Sequence, residues 1–147
     1  MSHEPRLAIV LSRFNPEVTS GLLNGALAYL AENGIAAPAI YHAPGAFEIP
    51  LIAKTLAKST RYDGVICLGC VIKGDTAHFE FISLGATMGL MTAALETGVP
   101  LTFGILTTYT DEQAIVRSRD DAHNKGREAA AACVEALETL TAIRQPV

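Results

Sequence analysis

The sequence predicts an α/β fold in three layers, α/β/α, built on a parallel sheet of four strands. Two observations carry this. Short, continuous apolar runs alternate along the chain with longer segments whose apolar residues recur at helical spacing. Side chains able to do chemistry gather after the carboxyl ends of the apolar runs, whereas the opposite ends, at Gly34-Ile35, Arg61-Tyr62-Asp63 and Thr97 to Pro100, carry no comparable set. In open parallel sheets ligands sit beyond the carboxyl ends of the strands, so the two observations agree.

Each element has its own signal. Arg6 to Ser12 (RLAIVLS) is a strand suited to burial on both faces. After Pro16, residues Val18, Leu22, Ala26, Leu27 and Leu30 fall at helical spacing, and Asn33-Gly34 supplies a stop. Ala39 to His42 is the second strand, and Ile49 to Lys58 a helix through Ile52, Ala53 and Leu56, with Pro50 tolerable only in its first turn. Gly64 to Ile72 is the third strand and the most apolar. Ser83 to Thr97 repeats the helical pattern through Leu84, Met88, Met91 and Leu95, closed by Gly98 and Pro100. Leu101 to Thr108 is the fourth strand, Asp111 to Arg117 a short helix, and Ala129 to Leu140 a longer one with Cys133, Leu137 and Leu140 on one face.

The 147 residues read as a single domain over 1–147, long enough for one core. Half are hydrophobic and the mean hydropathy is +0.30, yet no apolar run reaches the roughly 18 residues of a membrane span, so part of the excess is expected between subunits. MSHEPRLAIV lacks the basic start and apolar stretch of a secretory signal, and a soluble, cytoplasmic protein is expected. A net charge of −4 and a pI near 5.5 argue against nucleic acid as a partner. Cys67 and Cys70 form a C-x-x-C, but on a strand that spacing sends the side chains to opposite faces; with Cys133 they read as structural thiols. His3, His42, His78 and His123 are dispersed without metal-ligand spacing, so no metal is expected.

At the strand ends stand Arg13-Phe14-Asn15, then Pro44 to Glu48, then Lys73 to Phe79; the fourth strand holds Phe103 and precedes Arg117, Arg119, Lys125 and Arg127. Gly69 to Gly74 followed by Asp75-Thr76 imitates a nucleoside-triphosphate loop, but Asp75 replaces the lysine and Cys70-Val71-Ile72 is strand-like. The N–H groups of Gly74 to Thr76 serve equally as a helix cap or as a site for a smaller anion. His78 reads either as a residue satisfying a backbone group or as a proton carrier beside that anion. Phe14, Phe47 and Phe103 are core residues by default, though Phe14, between Arg13 and Asn15, has the setting for stacking on a flat heterocycle. Glu48 suits a first helical turn and can still bind hydroxyls; Arg117 and Arg119 are ordinary surface charges unless one pairs with phosphate.

Taken together, Arg13-Phe14-Asn15, PGAFEIP at 44–50, CVIKGDTAHFEF at 70–81, FGILTT at 103–108, and EQAIVR followed by NKG at 124–126 closely resemble lumazine synthase, from about Arg6 to Leu140. The resemblance implies a flavodoxin-like sheet and the penultimate step of riboflavin biosynthesis. In it, 5-amino-6-(D-ribitylamino)uracil condenses with 3,4-dihydroxy-2-butanone 4-phosphate to 6,7-dimethyl-8-ribityllumazine, phosphate and water, with no cofactor or metal. It further implies that Phe14 stacks on the pyrimidine, that Ala46, Phe47 and Glu48 hold the ribityl chain, and that Cys70, Val71 and Ile72 line the pyrimidine pocket chiefly through backbone. Asp75, Thr76 and Arg117 are then the phosphate site, Phe103 reaches the pyrimidine from a neighbouring subunit, His78 transfers protons, and Lys125 lies near the phosphate or ribityl end.

Some positions depart from the family's commonest pattern. Lys73 stands where arginine is frequent, and Asp75 where a small residue is frequent, which leaves the phosphate contact there to backbone. A short stretch before the first strand, and SRDDAH at 118–123 in place of a glycine-rich segment, favour an isolated homopentamer over a larger shell, with sites between subunits. The rival readings are a weakly active paralogue serving as a lumazine- or flavin-binding protein, and a receiver-type module. The second lacks its acidic cluster at Ser12-Arg13 and His42-Ala43.

Overall fold

The computed structural model describes residues 4–145; His3 and the start of the amino terminus lie outside the described residues. Four parallel strands, β1 (Leu7–Ser12), β2 (Ala39–Ala43), β3 (Gly64–Ile72) and β4 (Leu101–Thr108), form one sheet in the order β2-β1-β3-β4. Five helices connect or follow them: α1 (Pro16–Glu32), α2 (Ile49–Lys58), α3 (His78–Thr97), α4 (Asp111–Arg117) and α5 (Lys125–Arg144), with a 3-10 turn at Ala46–Glu48 leading into α2.

Strand periodicity divides the core in two. Leu7, Ile9 and Leu11 of β1 and Ile66, Leu68 and Cys70 of β3 face α1 and α5, where Val18, Leu22, Leu30, Cys133 and Leu137 close over them. Ala8, Val10, Val65 and Cys67 face the other way, toward Ile49, Ala53 and Leu56 of α2 and Ala86, Leu90 and Ala93 of α3. The α/β/α layering follows because every side of β1 and β3 is apolar and each face takes its own pair of helices. Cys67 and Cys70 do point to opposite faces, and all three cysteines are buried and unpaired.

The strands and the helices α1, α2 and α4 fall within a residue or two of their sequence-based bounds. The other two helices are longer. α3 starts at His78 instead of Ser83, and α5 at Lys125 instead of Ala129. Asn124 explains the second, since its Oδ1 accepts from the Arg127 N–H at 2.9 Å and caps the helix four residues before the apolar stripe begins. For α3 the face itself differs. Leu84, Met88, Met91 and Leu95, whose spacing predicts the helix, are 57–76% exposed, and the sheet is met by Leu90 and two alanines, Ala86 and Ala93.

Among the described residues no helix is long and apolar enough to cross a membrane.

Candidate functional site

The topology reverses between β1 and β3, because β2 lies on one side of β1 and β3 on the other. A crevice forms beyond the carboxyl ends at such a point. Here it is a cleft of about 420 Å³ lined by Phe14, Asn15, Gly45, Ala46, Phe47, Glu48, Cys70, Val71, Ile72, His78 and Ile82. Eight of the thirteen residues singled out by sequence therefore line one cleft: Phe14, Ala46, Phe47, Glu48, Cys70, Val71, Ile72 and His78.

Strand lengths make the floor. The β1–β3 ladder ends at Leu11 and Leu68, while β3 continues beside β4 to Ile72 and Thr108. On its β1 side the last part of β3 has no strand to satisfy its main chain, and Asn15 takes one of those groups: its Nδ2 donates to the Cys70 carbonyl at 3.1 Å. Along a strand the polar groups of alternate residues point the same way, so those of Ile72 face this open edge too. The result is a short row of peptide groups at the bottom of a cleft whose sides carry Phe14, Phe47 and Ile82 together with Glu48 and His78.

Asn15 occupies the left-handed region, φ 56° and ψ 59°, at the start of α1. Asparagine tolerates that conformation better than most residues, and it turns the chain sharply enough to expose the preceding Phe14, whose side is 66% accessible. Opposite, a β-carbon on Gly45 would lie 3.1 Å from the Phe14 ring and 3.3 Å from Glu48 Oε1. The absent side chain lets ring and carboxylate approach each other over bare backbone. Phe47, 57% exposed, forms the far wall.

His78 is the first residue of α3 and is exposed at the cleft margin. Its N–H is taken by the Thr76 hydroxyl at 3.3 Å, and Thr76 retains its own O–H to donate. Asp75 makes no capping bond to α3. Lys73 is held by Glu80 at 3.4 Å and lies over the Tyr109 ring. The Cys70 thiol is pushed up to about 11 by burial and, to a smaller extent, by the charges of Glu17 and Asp111. It is neutral at ordinary pH, which suits a wall and not a nucleophile.

Phe103, Arg117 and Lys125 are elsewhere. They line a second cleft of about 400 Å³ along the free edge of β4, with Thr102 to Thr108, Glu128, Ala129 and Ala132. Arg117 donates to the Gln113 carbonyl at 3.0 Å, and Lys125 pairs with Glu128 at 2.8 Å. Asp75 and Thr76 line neither cleft. The predicted set is thus split: eight residues line the first cleft, three the second, and Asp75 and Thr76 stand on the turn before α3.

Asn15, Gly45 and Ile82 line the first cleft without being among the thirteen, and Asn124 lines neither cleft but holds the turn that carries part of the second. Asn15 was visible only as part of a tripeptide, and its signal was the Asn-Pro pair at a strand end. Asn124 is 1% exposed. Its Nδ2 donates to the carbonyls of Gly21, Ser118 and Arg119 at 3.0, 3.1 and 2.8 Å, so one amide fixes the turn between the helices of Arg117 and Lys125. No three His, Cys, Asp or Glu side chains among the described residues are grouped so as to hold a metal ion.

A family model for 6,7-dimethyl-8-ribityllumazine synthase matches residues 4–141. 6,7-Dimethyl-8-ribityllumazine synthase 1 of Caulobacter vibrioides is 68% identical over 143 residues, covering 96% of this chain and 94% of that protein. The synthases of Syntrophus aciditrophicus and Nitratidesulfovibrio vulgaris are 49% and 50% identical, over 94% and 92% of this chain and 91% and 88% of theirs. With a match across nearly its whole length and a cleft at the switch point of its sheet, the chain belongs to the 6,7-dimethyl-8-ribityllumazine synthase family.

Proposed function

We propose that the protein condenses 5-amino-6-(D-ribitylamino)uracil with 3,4-dihydroxy-2-butanone 4-phosphate to 6,7-dimethyl-8-ribityllumazine, the penultimate step of riboflavin biosynthesis. The observation that carries the reading is the cleft between Phe14, Phe47 and His78, which joins aromatic walls to a floor of main-chain polar groups. Its volume lies in the range of small-ligand sites. The flat pyrimidine stacks on Phe14 and hydrogen-bonds the end of β3 at Cys70 to Ile72, and Ala46, Phe47 and Glu48 take the ribityl chain.

The chemistry begins when the ring amine adds to the ketone and water leaves. Phosphate is then expelled with its C–O electron pair as a proton is lost from the adjacent carbon. The enol that results ketonises, its terminal carbon taking up a proton to become a methyl group, and the new carbonyl is captured by the ribityl-bearing nitrogen as a second water departs. His78 carries protons between these steps. Thr76, the N–H groups of the turn before α3, and Arg117 bind the phosphate and favour its departure, with Lys125 nearby. Asp75 contributes through backbone alone. Holding two substrates in register can supply about 7–11 kcal/mol, more than a single acid/base group.

The site is completed between subunits. Phe103, Arg117 and Lys125 lie on the free β4 edge, apart from the first cleft, and a neighbouring copy bringing that edge to the cleft reunites the set. The exposed row Phe81, Leu84, Met88, Met91 and Leu95 on α3, at alternating three- and four-residue spacing, supports self-association, since a solvent-facing apolar stripe of that length is costly. A homopentamer, five times 15.5 kDa, is the assembly we favour, acting in the cytoplasm.

A steady-state assay with both substrates, following lumazine absorbance and released phosphate together, tests the reaction. Matched formation of both is expected. Tight binding of the pyrimidine without product would replace the enzyme by a lumazine- or flavin-binding protein. Sedimentation of the purified protein as a monomer would overturn the shared site.

A further inference from the structure

We propose that Gly85 is a positioning residue for the ligand cleft: by carrying no side chain it sets where the Phe47 ring stands. The proposal rests on the reading of that cleft as the ribitylaminouracil site.

His78, Ile82, Gly85 and Gly89 follow one another at four-, three- and four-residue intervals on α3, and so share a face. The first two line the cleft. The next two meet the segment that forms its far wall. A β-carbon on Gly85 would lie 2.8 Å from Cε1 and 3.2 Å from Cδ1 of Phe47, and one on Gly89 would lie 2.8 Å from Cβ of Pro50. Gly85 sits in the interior of a 20-residue helix with an ordinary helical φ, where glycine is less favourable than alanine. No backbone requirement accounts for it there. The contact with the ring does.

Phe47 is pinned on one side and open on the other. It belongs to a short 3-10 turn, its ring is more than half exposed, and the exposed part faces the cleft. A methyl group introduced at Gly85 therefore displaces the ring and leaves the helix in place, because a side chain with solvent beyond it yields more easily than backbone. The displaced ring alters the wall that holds the ribityl chain. Neither Arg117 nor Thr76 touches this contact, so use of the phosphorylated substrate is spared.

The test is Gly85→Ala alone and with Phe47→Ala, on the full chain, with titration by the fluorescent product 6,7-dimethyl-8-ribityllumazine and steady-state kinetics for each substrate. In the natural background Gly85→Ala is expected to weaken lumazine binding, and to raise the half-saturation concentration of the pyrimidine, by about tenfold, a displacement effect, while that of the butanone phosphate stays within twofold. In the Phe47→Ala background the same change is expected to do nothing. Equal losses in both backgrounds, or wild-type binding by Gly85→Ala, would overturn the proposal. Should Gly85→Ala fail to fold, recovery of the fold in the double variant supports the contact and continued failure refutes it. Wild-type protein that neither binds the lumazine nor turns over would instead overturn the assignment of the cleft.

Discussion

The Asn15 side chain donates to the Cys70 carbonyl at 3.1 Å and so joins the end of β1 to the last turn-free stretch of β3, where the ladder between the two strands has already stopped. Two properties of Asn15 can be separated by substitution. Asn15→Gly keeps the left-handed backbone and loses the bond, at about 1 kcal/mol; Asn15→Ala loses both, at about 2 kcal/mol or more. Urea unfolding at fixed protomer concentration checks the order, and both variants should raise the half-saturation concentration of the pyrimidine. An alanine variant as stable as the glycine variant would mean the left-handed turn carries no cost.

Asn124 ties three carbonyls and caps α5 with a single buried amide. Asn124→Ala is expected to lower unfolding free energy by about 2–4 kcal/mol, from the lost cap and the carbonyls left unsatisfied. Asn124→Asp is the sharper test. It keeps an excellent capping oxygen yet replaces the donor with an acceptor oxygen facing three carbonyls, so it should be at least as destabilising as alanine. If aspartate proved close to wild type in chemical denaturation, the cap alone would explain the residue.

His78→Ala should slow kcat by about 100-fold without abolishing turnover, since proton transfer accounts for a smaller part of the barrier than substrate positioning. Arg117→Ala should act on the half-saturation concentration of the butanone phosphate and leave that of the pyrimidine near its original value. Initial rates with each substrate varied in turn separate the two. An unchanged half-saturation concentration for the phosphate substrate in Arg117→Ala would remove it from the phosphate site.

The thiols give a pH prediction. Burial raises Cys70 to about 11 and Cys133 to about 12, and pushes Cys67 up further, with Cys133 adding to it. For an acid whose folded pKa is raised, the stabilising contribution is complete below the ordinary thiol value and is lost as pH climbs through the folded one. Stability should therefore hold to about pH 9 and fall between about pH 9 and 12. Native protein should leave all three cysteines unreacted with a thiol reagent at pH 8 over the time in which urea-unfolded protein reacts fully. Cys70→Ala should make the alkaline fall less steep. Rapid reaction of Cys70 in the native state would show that the cleft wall opens.

Much of this fold is visible without coordinates. Strands such as Leu7–Ser12, apolar up to its closing serine, and Gly64–Ile72 are continuous apolar runs, and burial on both faces stabilises that pattern. The cleft was legible for the same reason: once the strands are parallel, Phe14, Phe47 and His78, each following a different strand, must converge on one edge. The face of α3 was not legible. Leu84, Met88, Met91 and Leu95 make the stronger helical stripe, yet the sheet receives Leu90 and the two alanines Ala86 and Ala93. Periodicity records that a face is apolar and does not record which neighbour covers it.

Local order in the chain thus settled the layers, the strand direction and the edge at which chemistry collects, because hydrophobic period and strand-end position are properties of residues near one another in sequence. Folding alone decided the rest. The four extra residues of β3 beyond the β1 ladder, the Asn15 bond that occupies one of their carbonyls, the Gly85 contact with Phe47 and the separation of Phe103, Arg117 and Lys125 from the first cleft all depend on register and approach between segments tens of residues apart. Distances across such gaps are set by packing, and packing is a property of the assembled chain.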